Sequence, residues 1–125
     1  MTIKKVTDLV LWQKAMDFTV AVYTSSQRFP RSEAYGLTKQ IRSAAVSISS
    51  NIAEGYEQLT TGNYIRFLGI AKGSLGEVET QIYLARRLNY LDLQSTERLF
   101  EQSTEIGRLL NGLLRSLRKS DLPRH

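Results

Sequence analysis

Residues 40–55 read QIRSAAVSISSNIAEG. Ile41, Ala44 (or Ala45), Ile48 and Ile52 recur at intervals of three and four, which places apolar side chains on one face of an α-helix. Ser43, Ser47, Ser50, Asn51 and Glu54 are interleaved with that face. Serine and asparagine are indifferent helix formers that favour caps. Their place in mid-helix implies a neighbour that packs very close, or side-chain hydrogen bonds in use.

Downstream, the polar stretch Gln58–Gly62 reads as a loop, with Thr60 or Thr61 capping a further helix. In that helix Tyr64, Leu68, Ala71, Leu75, Val78, Ile82 and Ala85 step by alternating fours and threes, a sustained heptad seam. Gly69, Gly73 and Gly76 lie on an adjoining stripe. A mid-helix glycine costs roughly 1 kcal/mol relative to alanine, so three on one side predict a close neighbouring backbone. Ser43, Ser47 and Ser50 are expected to face them. Asn89-Tyr90-Leu91 closes this helix, and Asp92 is placed to cap the last one. That helix carries Leu99, Ile106, Leu110, Leu113 and Leu117, with Ser103 filling one position of the seam. Its acids Glu97, Glu101 and Glu105 precede its basic residues, the polarity favoured by the helix dipole.

Upstream, Thr7 is expected to cap the first helix, with Asp8 in its first turn. Leu9, Trp12, Met16, Val20 and Tyr23 form its apolar stripe, widened by Val10, Ala15, Phe18 and Val22 as for a helix touching two neighbours. Phe29-Pro30 ends the helical run, because a residue before proline is kept out of the helical region. Ser32 is expected to cap the second helix, with Glu33 in its first turn and the helix running through Gly36. The predicted fold is thus all-α, a single domain over 1–125 with helices at about 7–27, 32–57, 61–89 and 93–119. Short loops make successive helices antiparallel, giving an up-down-up-down four-helix bundle.

The chain has 125 residues, no cysteine and a single histidine, His125 in the predicted tail. Disulfides and thiolate metal sites are excluded, and a His-dependent triad or Glu-x-x-His di-metal site has no core histidine to use. Glu54, Glu57, Glu77 and Glu79 leave open a hard-cation site if they converge. The competing reading is that Glu54 and Glu77 accept hydrogen bonds or pair with Arg42, Arg66 or Lys72. GSLGE lacks the lysine of a phosphate loop and sits within a helix, where backbone N–H groups are already used. The basic start MTIKKVTDLVLW has no long apolar run, and no segment reaches the ~20 apolar residues of a membrane span, so a cytoplasmic location is expected.

The net charge of +5 raises the expectation of a polyanionic partner. Residues 107–120 hold Arg108, Arg115, Arg118 and Lys119 and no acid. Arg115, Arg118 and Lys119, joined by Lys4, Lys5, Arg86 and Arg87, are the candidate nucleic-acid contacts; the competing reading is that they are merely solvated. No recognition-helix or base-stacking motif points to sequence reading.

Several words of the sequence carry a resemblance. Trp12, Tyr23, Phe29-Pro30, Glu33, Leu37, Gln40-Ile41-Arg42, Ala44-Ala45-x-Ser47-Ile48, Asn51-Ile52-Ala53-Glu54-Gly55 and Ile70-Ala71-x-Gly73-Ser74-Leu75-x-Glu77 together resemble the bacterial four-helix bundle family, also called the 23S ribosomal RNA intervening-sequence proteins. Accessory variability proteins of diversity-generating retroelements look like relatives. The resemblance implies a protomer that assembles into a pentameric ring, and, from the retroelement relatives, binding of a co-encoded reverse transcriptase and of nucleic acid. It marks Gln40, Arg42, Ser47, Asn51, Glu54, Gly55, Gly73, Ser74 and Glu77 as packing or interface residues. The chain departs from the family pattern at Ser43, where arginine is common, and at Ser49, where proline is frequent; without proline a straighter second helix is expected. The expectation is a non-enzymatic oligomeric scaffold or accessory protein, without cofactor or metal, binding RNA or DNA through basic surfaces. The alternative is a protein-binding assembly module whose apolar faces and acidic row Glu97, Glu101 and Glu105 receive a partner.

Overall fold

The computed structural model describes residues 5–120. A 3₁₀ turn at Val6–Asp8 precedes α1 (Val10–Ser26), and a second at Arg31–Glu33 precedes α2 (Leu37–Tyr56). Then follow α3 (Thr61–Arg87) and α4 (Leu93–Ser120). The pairs α1–α2, α2–α3, α3–α4 and α1–α4 pack together, so each helix touches its two neighbours in a square, with α2–α3 the most extensive contact. Among the described residues there is no strand. This is an antiparallel four-helix bundle.

The core is where the periodicity of α2 and α3 places it. Ile41, Ala45, Ile48 and Ile52 are buried, and they meet Leu68, Ala71, Leu75, Val78, Ile82 and Ala85 of α3. Fully burying one such branched side chain contributes ~1.5–3 kcal/mol, so this two-helix seam is a large source of stability. In α4 the buried series is Leu99, Ser103, Ile106, Leu110 and Leu114. Leu113 and Leu117, expected inside, are only partly buried beside it.

In α1 the buried face differs from the expected stripe. Leu11, Ala15, Phe18 and Val22 point inward, with Thr19 donating from its hydroxyl to the Ala15 carbonyl (2.8 Å) and across to the Ala45 carbonyl (3.2 Å). Met16, Val20 and Tyr23 are exposed, Val20 by 62%. Both stripes obey three-and-four spacing, so periodicity does not choose between them; packing on α2 and α4 does.

Helix ends show how the remaining expectations fare. Thr7 does not cap α1: Asp8 accepts from the Lys5 backbone N–H (3.2 Å), closing a separate turn, and Leu9 enters α1 with extended backbone and no side-chain cap. Ser32 does not cap α2 either. Gly36 (φ −108°, ψ −116°) interrupts the helical path, and Glu33 Oε1 accepts from the Leu37 N–H at 3.1 Å. A Cβ at Gly36 would lie 2.6 Å from that oxygen, so a glycine is what lets Glu33 cap from outside the helix. Thr60 caps α3 through the Asn63 N–H (3.2 Å) and Asp92 caps α4 through the Ser95 N–H (2.7 Å), as expected. Helix α3 ends at Arg87, with Asn89 left-handed (φ 63°) and the Tyr90 N–H returning to the Ala85 carbonyl at 2.8 Å, a Schellman-type stop. Tyr90 then donates its hydroxyl to Glu33 Oε2 (2.9 Å), fastening the α3–α4 turn to the cap of α2.

Candidate nucleic-acid interface

The topology sorts the candidate basic residues to opposite ends of the bundle. Arg115, Arg118 and Lys119 occupy the last turns of α4, at the end where α1 begins, and all three are exposed, as is Lys5. Lys4 lies outside the described residues. Arg86 and Arg87 close α3, at the end where α4 begins. At 1.5 Å per residue they stand about 35 Å from the Arg115 cluster. Arg86 is half-buried and its Nη1 donates to the Leu91 carbonyl (3.5 Å), a long contact that steadies the α3–α4 turn, whereas Arg87 is exposed. The six described candidates therefore form two separate basic areas on one protomer instead of a single surface.

The residues of the organising stretch take structural positions. Arg42, half-buried, donates from Nε to Ser26 Oγ (2.8 Å) and from Nη2 to the Tyr23 carbonyl (3.2 Å), with its guanidinium 4.7 Å above the Tyr23 ring. It thus satisfies one of the carbonyls left without a partner at the end of α1. Ser47 and Ser74 hydroxyls are 2.8 Å apart, and Asn51 Nδ2 donates to the Ser47 carbonyl (2.8 Å) and hydroxyl (3.0 Å). Ser47 and Asn51 stand in mid-helix with their side-chain hydrogen bonds in use, one of the two explanations open from the sequence. Ser49, where the family favours proline, is buried and donates to the Val46 carbonyl (3.3 Å).

The glycines reverse their expected roles. A Cβ at Gly69, Gly73 or Gly76 meets nothing within 4 Å, and all three are exposed, as are Ser43 and Ser50. Gly55 is the glycine at a close approach: its Cβ would stand 3.0 Å from Phe67 Cβ and from Tyr64 Cδ1. Packing against α2 also pushes the Tyr64 phenol above its ordinary pKa, chiefly by burial and then by the neighbouring Tyr56.

Carboxylates do not converge. Among the described residues no group of three or more His, Cys, Asp or Glu is placed to hold a metal ion. Glu54 and Glu77 are exposed and form no ion pair with Arg42, Arg66 or Lys72. Glu79 accepts from the Ser103 hydroxyl (3.0 Å). Gln40, Ser47 and Glu77 share a polar cleft of about 410 Å³ between α2 and α3 with Tyr35, Lys39 and Ser43. The acidic row is also divided: Glu105 pairs with Lys14 (3.3 Å), while Glu97 and Glu101 flank Phe100, whose ring lies 4.5 Å from that of Tyr83. Sequence reasoning missed Arg28 and Arg98, which come together across α1 and α4; residues so distant in sequence carry no local signal of being neighbours. No described helix is long and apolar enough to cross a membrane.

The fold is similar to that of a solved protein from Bacteroides thetaiotaomicron VPI-5482, described as a protein with unknown function from the S23 ribosomal protein family. The two are 28% identical, the match covers 86% of this chain and 97% of the other, and the TM-score is 0.78. A search of curated proteins finds no match. Residues 7–112 match the family described as 23S rRNA-intervening sequence protein. With that match running from α1 to most of α4, the chain belongs to the 23S rRNA-intervening sequence protein family.

Proposed function

We propose that this protein is a non-enzymatic accessory or scaffold protein that self-assembles and holds RNA or DNA through phosphate contacts without reading sequence. The observation that carries this is the end of the bundle where α4 finishes. Arg115, Arg118 and Lys119 are exposed there, Lys5 joins them, and α4 from Gly107 onward contains no acid. Phosphate contacts of this kind supply affinity that is independent of sequence and sensitive to salt. Self-assembly, as a pentameric ring of the type the family resemblance implies, repeats that end around an axis and turns a sparse patch into a continuous rim. Support for assembly comes from apolar side chains left outside, Val10, Met16, Val20 and Tyr23 on α1, and from the open glycine stripe of α3, whose helix cost is not repaid within one protomer.

Fluorescence anisotropy against an RNA hairpin, comparing R115E/R118E/K119E with R86E/R87E, tests the assignment. The first variant loses binding and the second keeps most of it; equal affinity in all three proteins contradicts the reading. One observation favours a second reading. The Tyr83–Phe100 pair beside Glu97 and Glu101 suits a basic segment of a protein partner, which the cation–π and charge terms together would hold. Binding of a co-encoded protein that survives R115E/R118E/K119E but fails in E97K/E101K would select it.

A further inference from the structure

We infer that the cleft between the end of α1 and the start of α4 is a binding site for a phosphate group. It lies at the opposite end of the bundle from Arg115, Arg118 and Lys119, and it does not rest on the nucleic-acid reading. The cleft holds about 390 Å³ and is lined by Ser25 of α1, by Gln27 and Arg28 in the turn that follows it, and by Ser95, Arg98 and Gln102 of α4. That volume falls within the roughly 300–1,000 Å³ of small-molecule sites and exceeds what a bare anion needs, so it takes a phosphate carried on a small polar body.

The donors are available. Arg98 is exposed and makes no hydrogen bond or ion pair with any described residue. Arg28 makes one bond, from Nη1 to Asp92 Oδ2 at 3.2 Å, which leaves most of the donor fork of its guanidinium free. No carboxylate lines the cleft. The acids next along α4, Glu97 and Glu101, line the separate cleft at Phe100. Asp92, which Arg28 contacts through Oδ2, caps α4 through its other oxygen, Oδ1 accepting from the Ser95 N–H at 2.7 Å. Arg28 can therefore turn to a ligand without uncapping α4. Two guanidinium groups flanked by hydroxyls and amides, with only Ala21 and Leu99 as apolar lining, match a phosphate by charge and by fork geometry.

Two sources supply that chemistry: a free phosphate monoester, or the phosphodiester of a nucleic acid strand. Isothermal titration at low salt of the intact protein with AMP, with adenosine and with the dinucleotide ApA separates them. AMP binds and adenosine does not. Arg98→Ala weakens AMP binding by about ten- to hundred-fold, the usual effect of removing a charged hydrogen-bond donor. Lys72→Ala, on an exposed position of α3, leaves it unchanged. Binding of ApA that falls equally in Arg98→Ala supports the same site and identifies the nucleic acid backbone as its source. Failure of both AMP and ApA to bind overturns the inference, as does binding that Arg98→Ala leaves intact. An unchanged thermal unfolding curve of Arg98→Ala confirms that lost affinity is not lost fold.

Discussion

The hydroxyls of Ser47 and Ser74 stand 2.8 Å apart and tie the middle of α2 to the middle of α3, with Asn51 supporting Ser47 one turn on. Ser74 belongs to the word Gly73-Ser74-Leu75-x-Glu77 and Asn51 to NIAEG, and the contact sits beside the apolar seam of α2 and α3. Ser74→Ala removes the bond between the two hydroxyls, and Ser47→Ala removes that bond and the one from Asn51 as well, at a cost of about 0.5–1.5 kcal/mol for each bond lost. The double variant costs less than the sum of the two, because the second substitution removes a group already left unpaired. Midpoints of urea denaturation at unchanged slope measure both effects.

The glycines separate by role. Gly55→Ala forces a methyl against Phe67 and Tyr64 and should destabilise the protein by about 1–3 kcal/mol, the usual range for overpacking. Gly69→Ala meets open space and should stabilise the isolated protomer by up to about 1 kcal/mol. Thermal unfolding of the two variants should move in opposite directions.

If the open face of α3 is covered by another copy, a bulky side chain there blocks assembly without unfolding the protomer. Gly73→Leu should lower the mass seen by light scattering while helical circular dichroism persists. A wild-type protein with the mass of a single chain would remove the assembly proposal altogether.

Asp92 gives the fold one pH-sensitive joint. Its carboxyl is held below its ordinary value of 3.8, first by the Ser95 N–H, then by the Ser95 hydroxyl, with Arg28 adding less. A depressed carboxylate stabilises the folded state above its unfolded pKa and loses that contribution as pH falls through the folded one. Asp92→Ala should therefore lower the unfolding temperature at neutral pH. The gap to wild type should narrow once the pH drops below about 4, a trend that melting curves over a pH series would follow.

Much of this architecture was legible because it is local. The α3 seam from Leu68 to Ala85 and the α2 face of Ile41, Ile48 and Ile52 are buried as their spacing implies, and Thr60 and Asp92 cap the helices they precede. What was not legible depends on partners far along the chain. Nothing near Phe18 distinguishes its stripe from that of Val20; the choice is made by α2 and α4. Gly55 and Gly73 are both glycines within predicted helices, yet only Gly55 faces Tyr64 and Phe67. Glu33 acts outside the helix it was expected to begin, since Gly36 leaves room for its carboxylate to reach back to Leu37. Of the candidate basic residues, charge and spacing identified the set, but only the topology divides Arg86 and Arg87 from Arg115, Arg118 and Lys119.

The central claim is that the α4 end neutralises phosphates, and the salt dependence of binding tests it most directly. Anisotropy of a labelled DNA duplex titrated with the protein across a salt series should give log affinity falling linearly with log salt. A slope near −0.9 for each phosphate engaged predicts a value of about −3 or steeper for Arg115, Arg118 and Lys119 acting together, and a shallower one for R115E/R118E/K119E. No binding at low salt, or a slope that the charge reversal leaves unchanged, would contradict it.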